Sequence, residues 1–153
     1  MANTYTQIHV HIIFAVKYKA ALIQPEWKYE LYNYISRIII ENNHKLIVVN
    51  GMSDHIHIVL GMRPTQALSD LMKQIKGASS GWINEKKLTK THFNWQDGYA
   101  AFSYGKSQLG DLIQYVKSQE EHHKKISFTE ECRKFLDLFE IEFDEKYILS
   151  GPE

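Results

Sequence analysis

The chain of 153 residues lacks most of what would place it in a specialised class. It carries one cysteine, Cys132, with three prolines and eight glycines. One cysteine excludes an internal disulfide framework and any multi-cysteine zinc site, and it fits a reducing cytoplasm. The longest apolar run, Ile12 to Val16, falls far short of the ~18 residues a membrane span needs. Met1-Ala2-Asn3-Thr4 has no basic segment leading into an apolar one, so the sequence predicts no secretory leader and no membrane partner. Charge of one sign is lacking too: 18 Lys and Arg face 18 Asp and Glu. That balance argues, on its face, against a nucleic-acid binder. Its distribution reverses the argument. Residues 1–127 hold 15 basic and 10 acidic residues, and residues 128–153 hold 3 and 8. A basic body is joined to an acidic C-terminal helix and tail, and the tail is expected to lie outside, away from any nucleic acid.

Apolar periodicity is what the chain does have. Ile8, Val10, Ile12, Phe14 and Val16 alternate with Gln7, His9, His11 and Lys17, a half-buried strand. Leu31, Tyr34, Ile35, Ile38 and Ile39 recur at helical spacing over 26–42. Residues 45–62 read as a hairpin, with Asn50-Gly51 as its turn signal. Pro64-Thr65 opens a helix through Leu68, Leu71, Met72, Ile75, Trp82 and Ile83; Tyr99–Tyr104 is a strand. Ser107 is placed to cap a helix running to 125, and a last helix spans about 129–140. The order β-α-β-β-α-β followed by two helices predicts an α+β fold, a ferredoxin-like (RRM-like) sheet with the first and third strands central. Two helices would cover one face, leaving the other open to a ligand or a second subunit. The whole chain reads as one domain: a core over 1–105, the helix 107–125, and the acidic segment 128–153.

Two His-x-His pairs, His9-x-His11 and His55-x-His57, put imidazoles side by side on the strand face opposite the isoleucines. Each pair alone reads either as a polar strand face or as paired metal ligands. Tyr115 and Gln119, four residues apart, flank the apolar stripe of the helix after Ser107, with Gln108 and His122 on the same strip. A tyrosine at a core boundary is the alternative reading. Gly105-Lys106-Ser107 imitates a phosphate loop, but Ala100 stands where its first glycine belongs. Arg63, Lys73, Lys76, Lys86, Lys87 and Lys90 form a basic stretch interleaved with Trp82, Phe93 and Trp95. That is either a DNA-binding surface or a solvated helix face over core aromatics.

Asp54-His55-Ile56-His57-Ile58 resembles the HUH motif, with Ile56 as the bulky apolar residue. Gln114 to Lys125, containing Y-x-x-x-Q-E-x-H-H, is similar to the catalytic helix of single-tyrosine HUH transposases of the insertion-sequence 200/605 group. Trp95-Gln96-Asp97-Gly98-Tyr99-Ala100-Ala101-Phe102-Ser103 and Glu142 to Tyr147 resemble the same family. The resemblance implies a homodimeric transposase that cleaves and rejoins single-stranded DNA at hairpin-bearing ends, with composite active sites. It implies Tyr115 as nucleophile, a 5′-phosphotyrosine intermediate, and His55, His57 and Gln119 as ligands of Mg2+ or Mn2+. Arg63, Lys73, Lys76, Lys86, Lys87, Lys90, Trp95 and His11 are the candidate DNA contacts. Two rivals are a non-catalytic RRM-like module that only binds single strands, and a domesticated HUH endonuclease or replication initiator.

Overall fold

The computed structural model describes residues 4–143. Four strands, β1 (His9–Ala15), β2 (Lys45–Met52), β3 (His55–Gly61) and β4 (Ala100–Tyr104), form one antiparallel sheet in the order β2-β3-β1-β4. The first and third strands are central, as the split βαβ order predicts. Helices α1 (Lys28–Glu41) and α2 (Leu68–Glu85) cover one face. Ile12, Phe14, Ile56, Ile58 and Leu60 point into that layer and meet Leu31, Ile35, Ile39, Leu71 and Ile75.

The second face is not open. Helices α3 (Lys106–Lys117), α4 (Gln119–His122) and α5 (Phe128–Leu138) lie across it. The cause is in the strands. β1 carries Ile13 and Ala15 on its histidine side and β4 adds Phe102, an apolar strip that must be covered. Phe128, Cys132, Phe135 and Phe139 recur every three to four residues along α5 and cover it. Leu112 and Val116 of α3 cover Val59 of β3. The acidic C-terminal helix is thus part of the packed interior of this face. The tail beyond residue 143, with Asp144–Tyr147 of the family-like segment, lies outside the described residues.

Three local expectations also change. The hairpin turn is Ser53-Asp54, because Met52 pairs with His55 and Gly51 with Ile56. Gly51 sits inside β2, where a Cβ would collide with the His55 carbonyl oxygen. Ser107 lies within α3; Gly105 is the cap position, and its N–H donates to Gln108 Oε1 at 3.0 Å. The helix expected over 107–125 breaks at Ser118 (φ −97°, ψ 23°). Asn50 of β2 stabilises the break, its Nδ2 donating to the Val116 carbonyl at 2.9 Å. Among the described residues, no helix is long and apolar enough to cross a membrane.

Candidate active site and metal centre

Alternation along β3 decides where its histidines go. Ile56 and Ile58 enter the α1–α2 core, so His55 and His57 face α3–α5, both fully buried. The break at Ser118 redirects the chain so that Gln119, also fully buried, reaches them: Gln119 Oε1 is 2.9 Å from His55 Nε2. Tyr115, one turn earlier, sits between His122 and Phe135, with ring centroids 4.5 and 5.5 Å away.

Glu131 of α5 joins these groups. Its Oε1 lies 3.2 Å from His57 Nε2, 3.4 Å from His55 Nε2 and 3.0 Å from His123 Nε2. Its Oε2 accepts from the Tyr115 hydroxyl, and from Gln119 Nε2 at 3.1 Å. Burial opposes the charge on Glu131, but hydrogen bonds from His123, His55 and His57 hold its carboxyl far below the carboxylate range. Burial likewise opposes a charged His55. Bonds to Asp54 (Nδ1 to Oδ1, 2.7 Å) and Glu131 nevertheless bring it up to about 9. Burial lowers His57. Burial, then the Glu131 charge, push the Tyr115 phenol well above its ordinary value.

His55, His57 and Glu131 each offer one donor atom, all within 4.8 Å of one another. The contacts His55–Gln119, His57–Glu131 and His55–Glu131, at 2.9, 3.2 and 3.4 Å, bring the four side chains close enough that they could hold one ion between them. Two imidazoles, a carboxylate and an amide oxygen suit a borderline-to-hard divalent ion. A cleft of about 210 Å³ lined by Tyr115, His122, Ile126, Glu131 and Lys134 opens beside the phenol.

The structure thus brings His55, His57, Tyr115 and Gln119 together. Sequence reasoning missed Glu131 and His123. Glu131 did carry a signal: it lies three residues after Phe128 and four before Phe135, a carboxylate inside an apolar stripe.

The candidate DNA contacts are dispersed. Lys73, Lys86, Lys87 and Lys90 are exposed on α2 and the loop after it, on the layer behind the histidine face. Arg63 Nε donates to the Asn42 carbonyl at 2.9 Å. Lys76 Nζ donates to the Gln96 and Gly98 carbonyls at 2.6 and 2.8 Å, fastening the loop before β4. Trp95 and Phe93 belong to the core instead, with Trp95 Nε1 donating to Ser79 Oγ at 2.9 Å and its ring against Phe14. Their aromatic surface is spent on packing, so Trp95, a candidate DNA contact by sequence, is a core residue here. His11 is fully buried against His57, which removes it from any DNA-facing surface.

Residues 4–119 match the family model described as Transposase IS200 like. The chain belongs to this family of transposases. The IS200-like chain is 26% identical over 120 residues to the ISDra2 transposase TnpA of Deinococcus radiodurans, covering 75% of this chain and 86% of that one. It is 27% identical over 130 residues to the transposase for insertion sequence element IS200 of Salmonella typhimurium, covering 81% and 84%. Its fold matches a crystal structure described as a transposase from Deinococcus radiodurans R1, with a TM-score of 0.64 and 22% identity over 78% of this chain and 95% of that one. It also matches a REP-associated tyrosine transposase solved with a REP hairpin, with a TM-score of 0.60 and 11% identity over 82% and 74%.

Proposed function

We propose that this IS200-like transposase cleaves and rejoins single-stranded DNA at hairpin-bearing element ends through a covalent 5′-phosphotyrosine on Tyr115. One observation carries the reading: a tyrosine hydroxyl, two imidazoles, an amide and a carboxylate converge in a buried cluster beside a cleft. A divalent ion held by His55, His57, Gln119 and Glu131 supplies Lewis acidity toward a phosphate oxygen. Manganese suits the nitrogen ligands and magnesium the oxygens.

Tyr115 attacks phosphorus and gives up its phenolic proton, the P–O3′ bond breaks, and the 3′-oxygen takes up one proton and leaves as a hydroxyl, so the step is neutral in protons. Glu131 Oε2 accepts the phenol's hydrogen bond and holds the hydroxyl at the cluster. Gln119 is oriented by the same carboxylate, and Asp54 fixes the His55 ring. The phosphotyrosine keeps the cleaved bond's energy, so rejoining needs no nucleotide. One nucleophilic tyrosine per chain gives one cleavage per subunit, which favours a homodimer for two-ended recombination. The hairpin-bound structural neighbour supports hairpin ends as the substrate. The RRM-like rival needs aromatics on an open sheet face, and that face is covered here.

The test uses purified protein and a labelled hairpin-bearing oligonucleotide with Mn2+ or Mg2+. A denaturant-stable adduct is expected, lost with EDTA, with Tyr115→Phe and with His57→Ala. An adduct that survives Tyr115→Phe removes Tyr115 as nucleophile; no adduct with any single strand favours the binding-module rival.

A further inference from the structure

The cleavage chemistry leaves β1's histidines unused, and one of them touches the metal centre. His11 is fully buried, with Nε2 2.8 Å from His57 Nδ1. The ring centroids are 5.0 Å apart and the planes differ by 18°. Rings in that relation meet edge to edge and nearly in one plane, the geometry of an N–H···N hydrogen bond rather than a stack. The other nitrogen of His11, Nδ1, is buried with no polar partner, and Phe102, Tyr104 and Phe135 surround the ring. Among the described residues, the one hydrogen bond His11 makes is to His57.

That contact bears on a tautomer. An imidazole that ligates through Nε2 carries its proton on Nδ1, and something must accept that proton. For His55 the acceptor is Asp54. For His57, among the described residues, it is His11. When His57 Nε2 faces the Glu131 carboxylate, which only accepts, the His57 proton sits on Nε2 and His11 donates to Nδ1. When Nε2 is a ligand, the hydrogen bond reverses: Nδ1–H of His57 donates to His11 Nε2, and His11 keeps its own proton on Nδ1. The neutral pair holds two protons in both arrangements. An imidazole serves in both directions, whereas an aspartate could only accept.

We propose that His11 is a positioning residue for the metal centre: its Nε2 accepts the Nδ1 proton of His57 and so holds the His57 Nε2 lone pair toward the ion. This rests on the metal reading above.

The test compares Mn2+ affinity, by calorimetry on the full chain, for the natural protein, His11→Phe and His11→Gln. Phenylalanine fills the same aromatic setting without an acceptor, and glutamine supplies an oxygen. His11→Phe is expected to bind about 10- to 100-fold more weakly, with circular dichroism unchanged, and His11→Gln to stay within about threefold of the natural protein, since its amide oxygen accepts the same proton. Natural affinity in His11→Phe overturns the proposal, as does equal loss in both variants. If His11→Phe does not fold, nitrogen-15 spectra of the Mg2+-saturated natural chain decide. A coupling across the hydrogen bond, with the proton bonded to His57 Nδ1, is expected, and a proton bonded to His11 Nε2 overturns the proposal. A natural chain that binds neither ion overturns the metal reading itself, a result distinct from tight binding that His11→Phe leaves untouched.

Discussion

The Tyr115 hydroxyl donates to Oε2 of Glu131, 16 residues away on another helix. The proposed nucleophile and the carboxylate are thus one unit, and burial, then the carboxylate charge, hold the phenol protonated. Glu131→Gln is expected to move the Tyr115 phenol back toward its ordinary value, read by ultraviolet titration with Tyr115→Phe as the subtracted baseline. Mn2+ affinity should fall in the same variant, because an anionic donor is removed. An unchanged phenol titration would separate Tyr115 from Glu131.

Stability without metal should peak near pH 6.5. His55 is held up at about 9 against 6.5. A raised histidine stabilises the fold fully below its unfolded value and loses that contribution as pH rises through the folded one. The alkaline loss is up to about 3 kcal/mol for such a shift. His11 and His57, lowered by burial, act on the acid side: below 6.5 the unfolded chain takes the protons they refuse. Urea unfolding across this range checks the profile, and Asp54→Asn should flatten its alkaline limb. A profile level from pH 6.5 to 9.5 would contradict the His55 assignment.

Much of this was legible in local pattern. The strands and the shared face of His55 and His57 follow from period-two alternation, and the strand order from the β-α-β-β-α-β succession of elements, neither of which needs distant information. The break at Ser118 was not legible, because no glycine or proline marks it and the group that stabilises it, Asn50, is 66 residues from Val116. Glu131 was hidden by its neighbours. Residues 128–153 are acidic enough to read as solvated, so the apolar stripe around that one carboxylate does not stand out.

Asn50→Ala should cost about 1 kcal/mol for the missing bond to the Val116 carbonyl. Its larger effect is expected on geometry, since the same break aims Gln119 at His55. Calorimetry should show weaker Mn2+ binding than the small change in thermal midpoint suggests. Equal Mn2+ affinity would mean that packing alone aims Gln119.

Trp95→Ala is expected to lower stability by about 3–5 kcal/mol, the cost of emptying a buried aromatic site. Any loss of DNA binding should follow unfolding and disappear at low temperature. Binding that stays weak while the fold is intact would return Trp95 to the DNA surface.

The exposed lysines of α2 supply the last test. Lys73 lies on α2 and Lys86 and Lys87 directly after it, on the layer behind the histidine face. If a hairpin stem rests there, each lysine neutralises a phosphate of duplex DNA, and binding weakens linearly in log salt. The triple alanine variant should bind the hairpin more weakly, and its salt slope should fall by roughly 0.9 for each phosphate left without its lysine. Mn2+ affinity and the yield of adduct per bound oligonucleotide should not change, because none of the three touches the histidine face. An unchanged salt slope would leave these lysines as a solvated helix surface and direct the search for the stem to the cleft side of the molecule. There Lys134 lines the opening beside Tyr115.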